Sequence, residues 1–234
     1  KPVTSAYGIA IDIGTTTIGM ELVDLNEKTV KCSFSTLNSQ IATGADVVAR
    51  IQAADTKEGL EHLRSLLFSD IQTGVDHMLI NTPEAVDHIR RYVLAGNATM
   101  LSIAEGLTTE NLFGYPFTLK NPDAWGIEQN DFIASPSFEN AASDVICLPN
   151  IAAFSGADIA AGAVAAELDR DSSYRMLIDL GTNGEIILCN KEHGVATSAA
   201  CGSAFEGCFR TANIFGSNIF DMLALLLKRG QMDA

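Results

Sequence analysis

The sequence predicts an α/β protein built by duplication, and three observations carry that reading. Ala10-Ile11-Asp12-Ile13-Gly14-Thr15-Thr16-Thr17-Ile18 and Leu177-Ile178-Asp179-Leu180-Gly181-Thr182-Asn183-Gly184-Glu185-Ile186 share one pattern: apolar strand, Asp, Gly, Thr, apolar strand. The two aspartates are 167 residues apart. A helix of almost uniformly small residues, Gly156 to Leu168, directly precedes the second copy. Two copies at that distance suggest two lobes, each giving one hairpin to a shared cleft. A small-residue helix between them lets backbones approach closely and slide.

The turn chemistry defines the candidate site. Gly181, Thr182 and Gly184 leave backbone N–H groups and a hydroxyl uncovered, as a phosphate requires. Asp179, at the end of its strand, is placed to hold Mg²⁺ through water while the loop holds phosphoryl oxygens. The same residues also suit an ordinary hairpin, and the echo at Asp12 favours the phosphate reading.

The other elements follow in order. Lys1 to Ala6 reads as a linker or tag remnant, and the missing initiator Met suggests a preceding segment. Tyr7 to Asp24 forms the first hairpin, and Val30 to Leu37 alternates as a third antiparallel strand. Gly44 to Ile51 begins a helix with Val47, Val48 and Ile51 on one face. Asp55 and Glu58 read as a capping box, after which Leu60, Leu63, Leu67, Ile71, Val75 and Met78 form the stripe of a long helix. Ile89 to Ala95 is a strand running into Asn97, which caps a short helix ending near Gly106 and anchors either an anion or a loop. Leu107 to Asp144 reads as loops with one short helix. Val145 to Leu148 is a buried strand, and Val195 to Ala200 follows the second hairpin. Cys201 to Gly207 reads as a Gly-bracketed turn carrying Glu206, and Ser217 caps a last helix.

Composition narrows the function. The chain has 234 residues, 47% of them apolar, enough for a sizeable core. Acidic side chains outnumber basic ones 29 to 15, and the formal charge of −14 argues against nucleic acid. No stretch suits a bilayer span or a signal peptide, so a cytoplasmic protein with no membrane partner is expected. Five cysteines without a C-x-x-C encode neither a disulfide framework nor a cluster site, and they read as buried thiols. His62, His77 and His88 lack ligand spacing and read as surface residues.

The two hairpins with the Ala/Gly-rich helix resemble the phosphate-1, connect-1 and phosphate-2 elements of the actin, sugar kinase and heat-shock chaperone ATPase superfamily. Further stretches resemble a narrower group: Gly44-Ala45-Asp46-Val47, Ala95-Gly96-Asn97-Ala98-Thr99-Met100, Leu148-Pro149-Asn150-Ile151-Ala152, Asp179 to Glu185, Ala204-Phe205-Glu206-Gly207, and Gly216-Ser217 before Ile219-Phe220-Asp221. Together they are similar to the ATPase domain of reductive activators of corrinoid proteins. The resemblance implies a duplicated ribonuclease H-like, actin-like ATPase fold. Residues 7–168 would be the first lobe, ending in the connecting helix, and residues 169–234 a partial second lobe. It also implies ATP-dependent one-electron reduction of a cob(II)alamin protein to cob(I)alamin, with Mg²⁺ as cofactor.

By the same resemblance, Asp12 and Asp179 are the carboxylates that organise Mg²⁺ or its water. Gly14, Thr15, Thr16 and Thr17 cradle phosphate from one lobe, and Gly181, Thr182, Asn183 and Gly184 from the other. Asp158 would orient the attacking water, and Glu206 either lines the cleft or caps a turn. The expected partners are a corrinoid protein and an iron–sulfur electron-donor domain outside this chain, with a homodimer left open. The family has Asn-Pro-Gln at Asn38-Ser39-Gln40, Thr at Ala98 and Gly-Pro at Gly202-Ser203. Its adenosine-binding segment and closing helix are expected after Ala234, which makes this chain a fragment or a shortened relative. A small-molecule kinase of the superfamily, or a non-catalytic docking module, would carry the same hairpins.

Overall fold

The computed structural model describes residues 5–123, 125–127, 144–181, 183–200 and 228–229. Six strands build the larger sheet: β1 (Tyr7–Ile13), β2 (Thr17–Asp24), β3 (Thr29–Leu37), β4 (Ile89–Gly96), β5 (Trp125–Ile127) and β6 (Asp144–Cys147), in the order β3-β2-β1-β4-β6-β5. The first three form an antiparallel meander, β4 and β6 join it in parallel, and β5 closes the edge antiparallel to β6. A smaller antiparallel sheet holds β7 (Arg175–Leu180), β8 (Asn183–Cys189) and β9 (Gly194–Ala200) in sequence order. Each sheet thus contains a three-strand meander that begins with an Asp-bearing hairpin, as duplication requires.

Strand periodicity places the core. Ile9, Ile11 and Ile13 of β1 and Ile18, Met20 and Leu22 of β2 are buried on one face, while Ala10 and Asp12 turn to the other. Onto the buried face packs α2 (Lys57–Asn81) through Leu63, Leu67, Ile71, Val75 and Met78. These side chains recur every three or four residues, so one stripe meets the sheet. The helix comes very close at Gly74, where a Cβ would fall 2.4 Å from the Met20 sulfur.

Among the described residues this body also holds three shorter helices, α1 (Val47–Ala53), α3 (Ala98–Glu105) and α4 (Glu110–Phe113). Asp46 caps α1 by accepting from the Ala49 N–H at 2.8 Å, and Gly106 ends α3 in the left-handed conformation, φ +72°. The helix α5 (Ala157–Ala165) connects the two sheets: Ala157 joins the large core, whereas Ile159 packs with Leu168, Ile187 and Cys189 of the second.

The structure departs from the sequence expectations in several places. The cap of α2 is Thr56, whose hydroxyl accepts from the Gly59 N–H at 3.0 Å, and Asp55 lies one residue outside it. The three-residue β5 escapes periodicity because it is short, sits at an edge and lies among turn-forming residues. The small-residue helix stops at Ala165, since Glu167 takes a positive φ of 49° and returns Leu168 to the core. His62 and His77 are exposed, but His88 is half-buried, with its Nδ1 enclosed. Cys147 and Cys189 are buried and Cys32 half-buried, all free thiols. The expected turn at 201–207, with Cys201 and Glu206, the thiol Cys208 and the helix after Ser217 lie outside the described residues. Among the described residues, no helix is long and apolar enough to cross a membrane.

Candidate phosphate and metal site

The first hairpin turns tightly at Gly14, whose N–H donates to the Thr17 carbonyl at 3.0 Å. A Cβ at Gly14 would lie 2.5 Å from that same carbonyl oxygen, so only glycine fits. Thr15 is buried, and its hydroxyl accepts from the Asn97 side-chain amide at 3.0 Å. Asn97 also caps α3, its Oδ1 accepting from the Met100 N–H at 3.1 Å, and so ties the start of that helix to the first loop. Accepting from Asn97 leaves the Thr15 hydroxyl proton to be donated elsewhere.

Asp12 stands on the open face of β1, paired with Gly19 on β2 and Ala95 on β4. Neither neighbour has a side chain large enough to cover it, so solvent reaches the carboxylate at the floor of the cleft. Its carboxyl is nevertheless pushed up to about 6, first by partial loss of solvation and then by Asp158 and Asp179 opposite. Asp158 lies in the first turn of α5, with Oδ1 accepting from the Ile159 N–H at 2.8 Å. Burial and then Asp179 raise its carboxyl, and the Ile159 bond opposes them.

Asp179 is exposed near the end of β7 and pairs across the strands with Glu185. Cross-strand partners project from the same face, so the two acids stand side by side. Glu185 is only 6% exposed, and its carboxyl is raised to about 8 by burial, then by Asp158, Asp179 and Asp12. Sequence reasoning missed this residue as a site member. The signal was present: Asp179 and Glu185 are equidistant from Thr182, so any tight hairpin centred there pairs them. Glu185 also lines a cleft of about 510 Å³ between the bodies, with Asn97, Ser155, Thr197 and Ser198.

The structure therefore gathers Asp12, Asp158 and Asp179, adds Glu185, and brings Thr15 to Asn97 beside them. Gly14, Thr16 and Thr17 form the half-buried remainder of the first loop, and Gly181 and Gly184 the backbone of the second. Thr182, the Asn183 side chain and Glu206 lie outside the described residues.

Among the described residues, none of the four acids forms an ion pair, and no three acids converge closely enough to enclose a metal. That donor set suits a hydrated Mg²⁺, which keeps several waters and takes one or two carboxylates together with phosphate oxygens. It does not suit an all-protein cage.

The raised carboxyls have a sign-determined consequence for stability. Their folded pKa values exceed the unfolded ones, so their contribution is complete below about pH 4 and is lost as pH rises through about 6 for Asp12 and about 8 for Glu185. Without divalent ions, Tm is expected to fall between pH 5 and 8.5, by about 2–4 °C for each kcal/mol lost. Mg²⁺ should restore more of it at pH 8.5 than at pH 5. A Tm that rises over this range in the absence of Mg²⁺ would contradict the clustered carboxylates.

Matching Asp-bearing hairpins on two sheets, joined by a helix that touches both, are the arrangement of an actin-like ATPase fold. The chain belongs to the RACo family: the RACo middle region matches residues 7–171, and the C-terminal RACo domain, described as the ASKHA domain, matches residues 173–214. Corrinoid activation enzyme RamQ of Eubacterium limosum is 34% identical over 218 residues, covering 93% of this chain and 35% of that protein. The solved structure of a reductive activator for corrinoid, iron-sulfur protein superposes with a TM-score of 0.82 at 31% identity, covering 89% of this chain and 33% of the other. The chain thus spans about a third of the length of these relatives.

Proposed function

We propose that this chain is the phosphate-holding part of an ATP-driven activator that returns a corrinoid protein from cob(II)alamin to cob(I)alamin. The observation that carries the reading is that Asp12 and Asp179 stand at matching places in the two hairpins, with Asp158 of the connecting helix near enough for the three charges to act on one another. RACo membership supports the choice of reaction, since relatives of that family are named for corrinoid activation.

In this reading residues 7–168 form one lobe and residue 169 begins the other. The loops 14–17 and 181–184 donate to the phosphoryl oxygens of ATP from opposite sides. Asp12 and Asp179 hold the waters of Mg²⁺, which neutralises charge on the phosphates when bound. The negative cleft excludes a bare triphosphate, so nucleotide enters with its cation. Asp158 orients the attacking water, and α5, packed on both cores, passes the change in phosphate contacts from one lobe to the other. The electron comes from an iron–sulfur domain, and hydrolysis supplies the free energy for a reduction that is uphill from biological donors.

The test combines the chain with a cob(II)alamin protein and an iron–sulfur electron donor, and follows the cobalt absorption bands. Cob(I)alamin is expected to form only when ATP and Mg²⁺ are both present. Formation at the same rate and extent without ATP would refute the proposal.

A further inference from the structure

Arg50 reads in sequence as an ordinary basic residue on an amphipathic helix, yet the structure buries it completely. Its Nε donates to the Gly44 carbonyl at 3.0 Å, and its Nη1 to Gln40 Oε1 at 3.1 Å and to the Met100 sulfur at 3.0 Å. Its Nη2 donates to the Thr15 carbonyl. Among the described residues no carboxylate forms an ion pair with it, and Asp46 acts only at longer range. Burial brings the guanidinium down to about 10, so it stays charged at neutral pH. An enclosed cation without an anion is expensive, and an apolar side chain of similar length usually serves packing as well or better.

The neighbours of Arg50 give the charge a direction. Asn38 is fully buried and donates through Nδ2 to the Gly14 carbonyl at 2.9 Å, and through its backbone N–H to the Thr16 carbonyl at 2.9 Å. With the Arg50 bond to Thr15, three successive carbonyls of the first hairpin are tied back into the lobe. A trans peptide carries its N–H opposite its C=O, so the amides of Thr15, Thr16 and Thr17 turn the other way. Gln40 fixes the support: its Nε2 donates to the Leu63 carbonyl at 2.8 Å and its N–H to Asn38 Oδ1 at 3.1 Å. Ser39, where the family has Pro, takes up its extra N–H and hydroxyl on Asp70, both at 2.7 Å.

We infer that Arg50, held by Gln40 and seconded by Asn38, is the positioning residue of the first phosphate hairpin: it fixes the loop's carbonyls inward and sets a positive charge behind the amide edge offered to a polyphosphate. The inference rests on the nucleotide reading above and assigns work to two stretches, Asn38-Ser39-Gln40 and Gly44 to Arg50, that the phosphate loops themselves do not explain. Capping by Asp46 sets α1, and Arg50 projects from its second turn.

Calorimetric titration of the chain with Mg·ATP and with Mg·tripolyphosphate tests it, using Arg50→Lys, Arg50→Met and Gln40→Glu beside the unmutated protein, each checked for folding by thermal melting. Gln40→Glu is nearly isosteric and hands Arg50 a carboxylate partner, while removing the amide that donates to the Leu63 carbonyl. All three variants should bind both ligands about tenfold to a hundredfold more weakly, the scale of losing a charge-assisted contact. Gln40→Glu also loses the bond to the Leu63 carbonyl and should melt lower, so affinities are compared well below each variant's transition. Unmutated affinity in folded Arg50→Lys and Gln40→Glu would overturn the inference while leaving the nucleotide reading intact. Absence of Mg²⁺-dependent binding by the unmutated chain would overturn both.

Discussion

Replacing Asp12 by asparagine is expected to remove Mg²⁺-dependent ATP binding, by a hundredfold or more, while raising Tm at pH 8. The two effects share one cause. In the folded protein the Asp12 carboxylate loses solvation and faces Asp158 and Asp179, which pushes its pKa to about 6. Asparagine keeps the shape and removes the charge, so the repulsion disappears and the protein without ligand gains of the order of 1 kcal/mol above pH 7. In the proposed site the same change removes a charged oxygen that would organise the hydrated cation, and contacts of that kind are strong. Titration calorimetry and thermal melting at pH 8 check both halves. A structural aspartate would give the opposite pattern, with Tm falling and binding unchanged. Such a trade is expected where like charges are gathered for function against the interest of folding.

The second large effect belongs to Gly156, at the start of α5. A Cβ there would fall 2.5 Å from Asn97 Cα, 2.6 Å from the Gly96 carbonyl oxygen and 2.7 Å from Asp158 Oδ1. Two of those three atoms are backbone and cannot swing aside. Gly156→Ala therefore pushes the helix start away from the β4–α3 junction, carrying Asp158 from Asp12 and loosening the Asn97 bond to Thr15. Overpacking of this kind costs about 1–3 kcal/mol, and nucleotide binding should weaken with it. Gly114→Ala is the control, since nothing lies within 4 Å of a Cβ at that glycine. Equal Tm and equal ATP affinity in the two variants would show that α5 does not dock where the structure puts it.

What was legible in the sequence follows from how local the determinants are. The two hairpins are local: an apolar run, an acid, glycine and threonine describe the strand end and the turn together, and β1, β2, β7 and β8 fall where that pattern places them. Asn97 was equally readable, because a capping residue between an apolar run and a periodic segment has few other uses. Thr56 was obscured by Asp55, an equally good cap one residue earlier, and only the actual start of α2 separates them. Glu185 was hidden by its position inside a strand, where one acid among apolar residues reads as the solvent face. Its burial depends on tertiary contacts, which no window of sequence contains. Arg50 is the extreme case. Its helix shows an apolar face without it, and its four acceptors come from residues 15, 40, 44 and 100, so nothing short of the tertiary structure reveals it.

The central claim is that two Asp-bearing hairpins form one Mg²⁺-dependent phosphate clamp. Titration of the unmutated chain with ATP, in the presence and absence of Mg²⁺ at pH 7.5, tests it most directly. Saturable binding of one ATP per chain is expected with Mg²⁺, and none without it. Binding that is absent under both conditions, or equal under both, would contradict it.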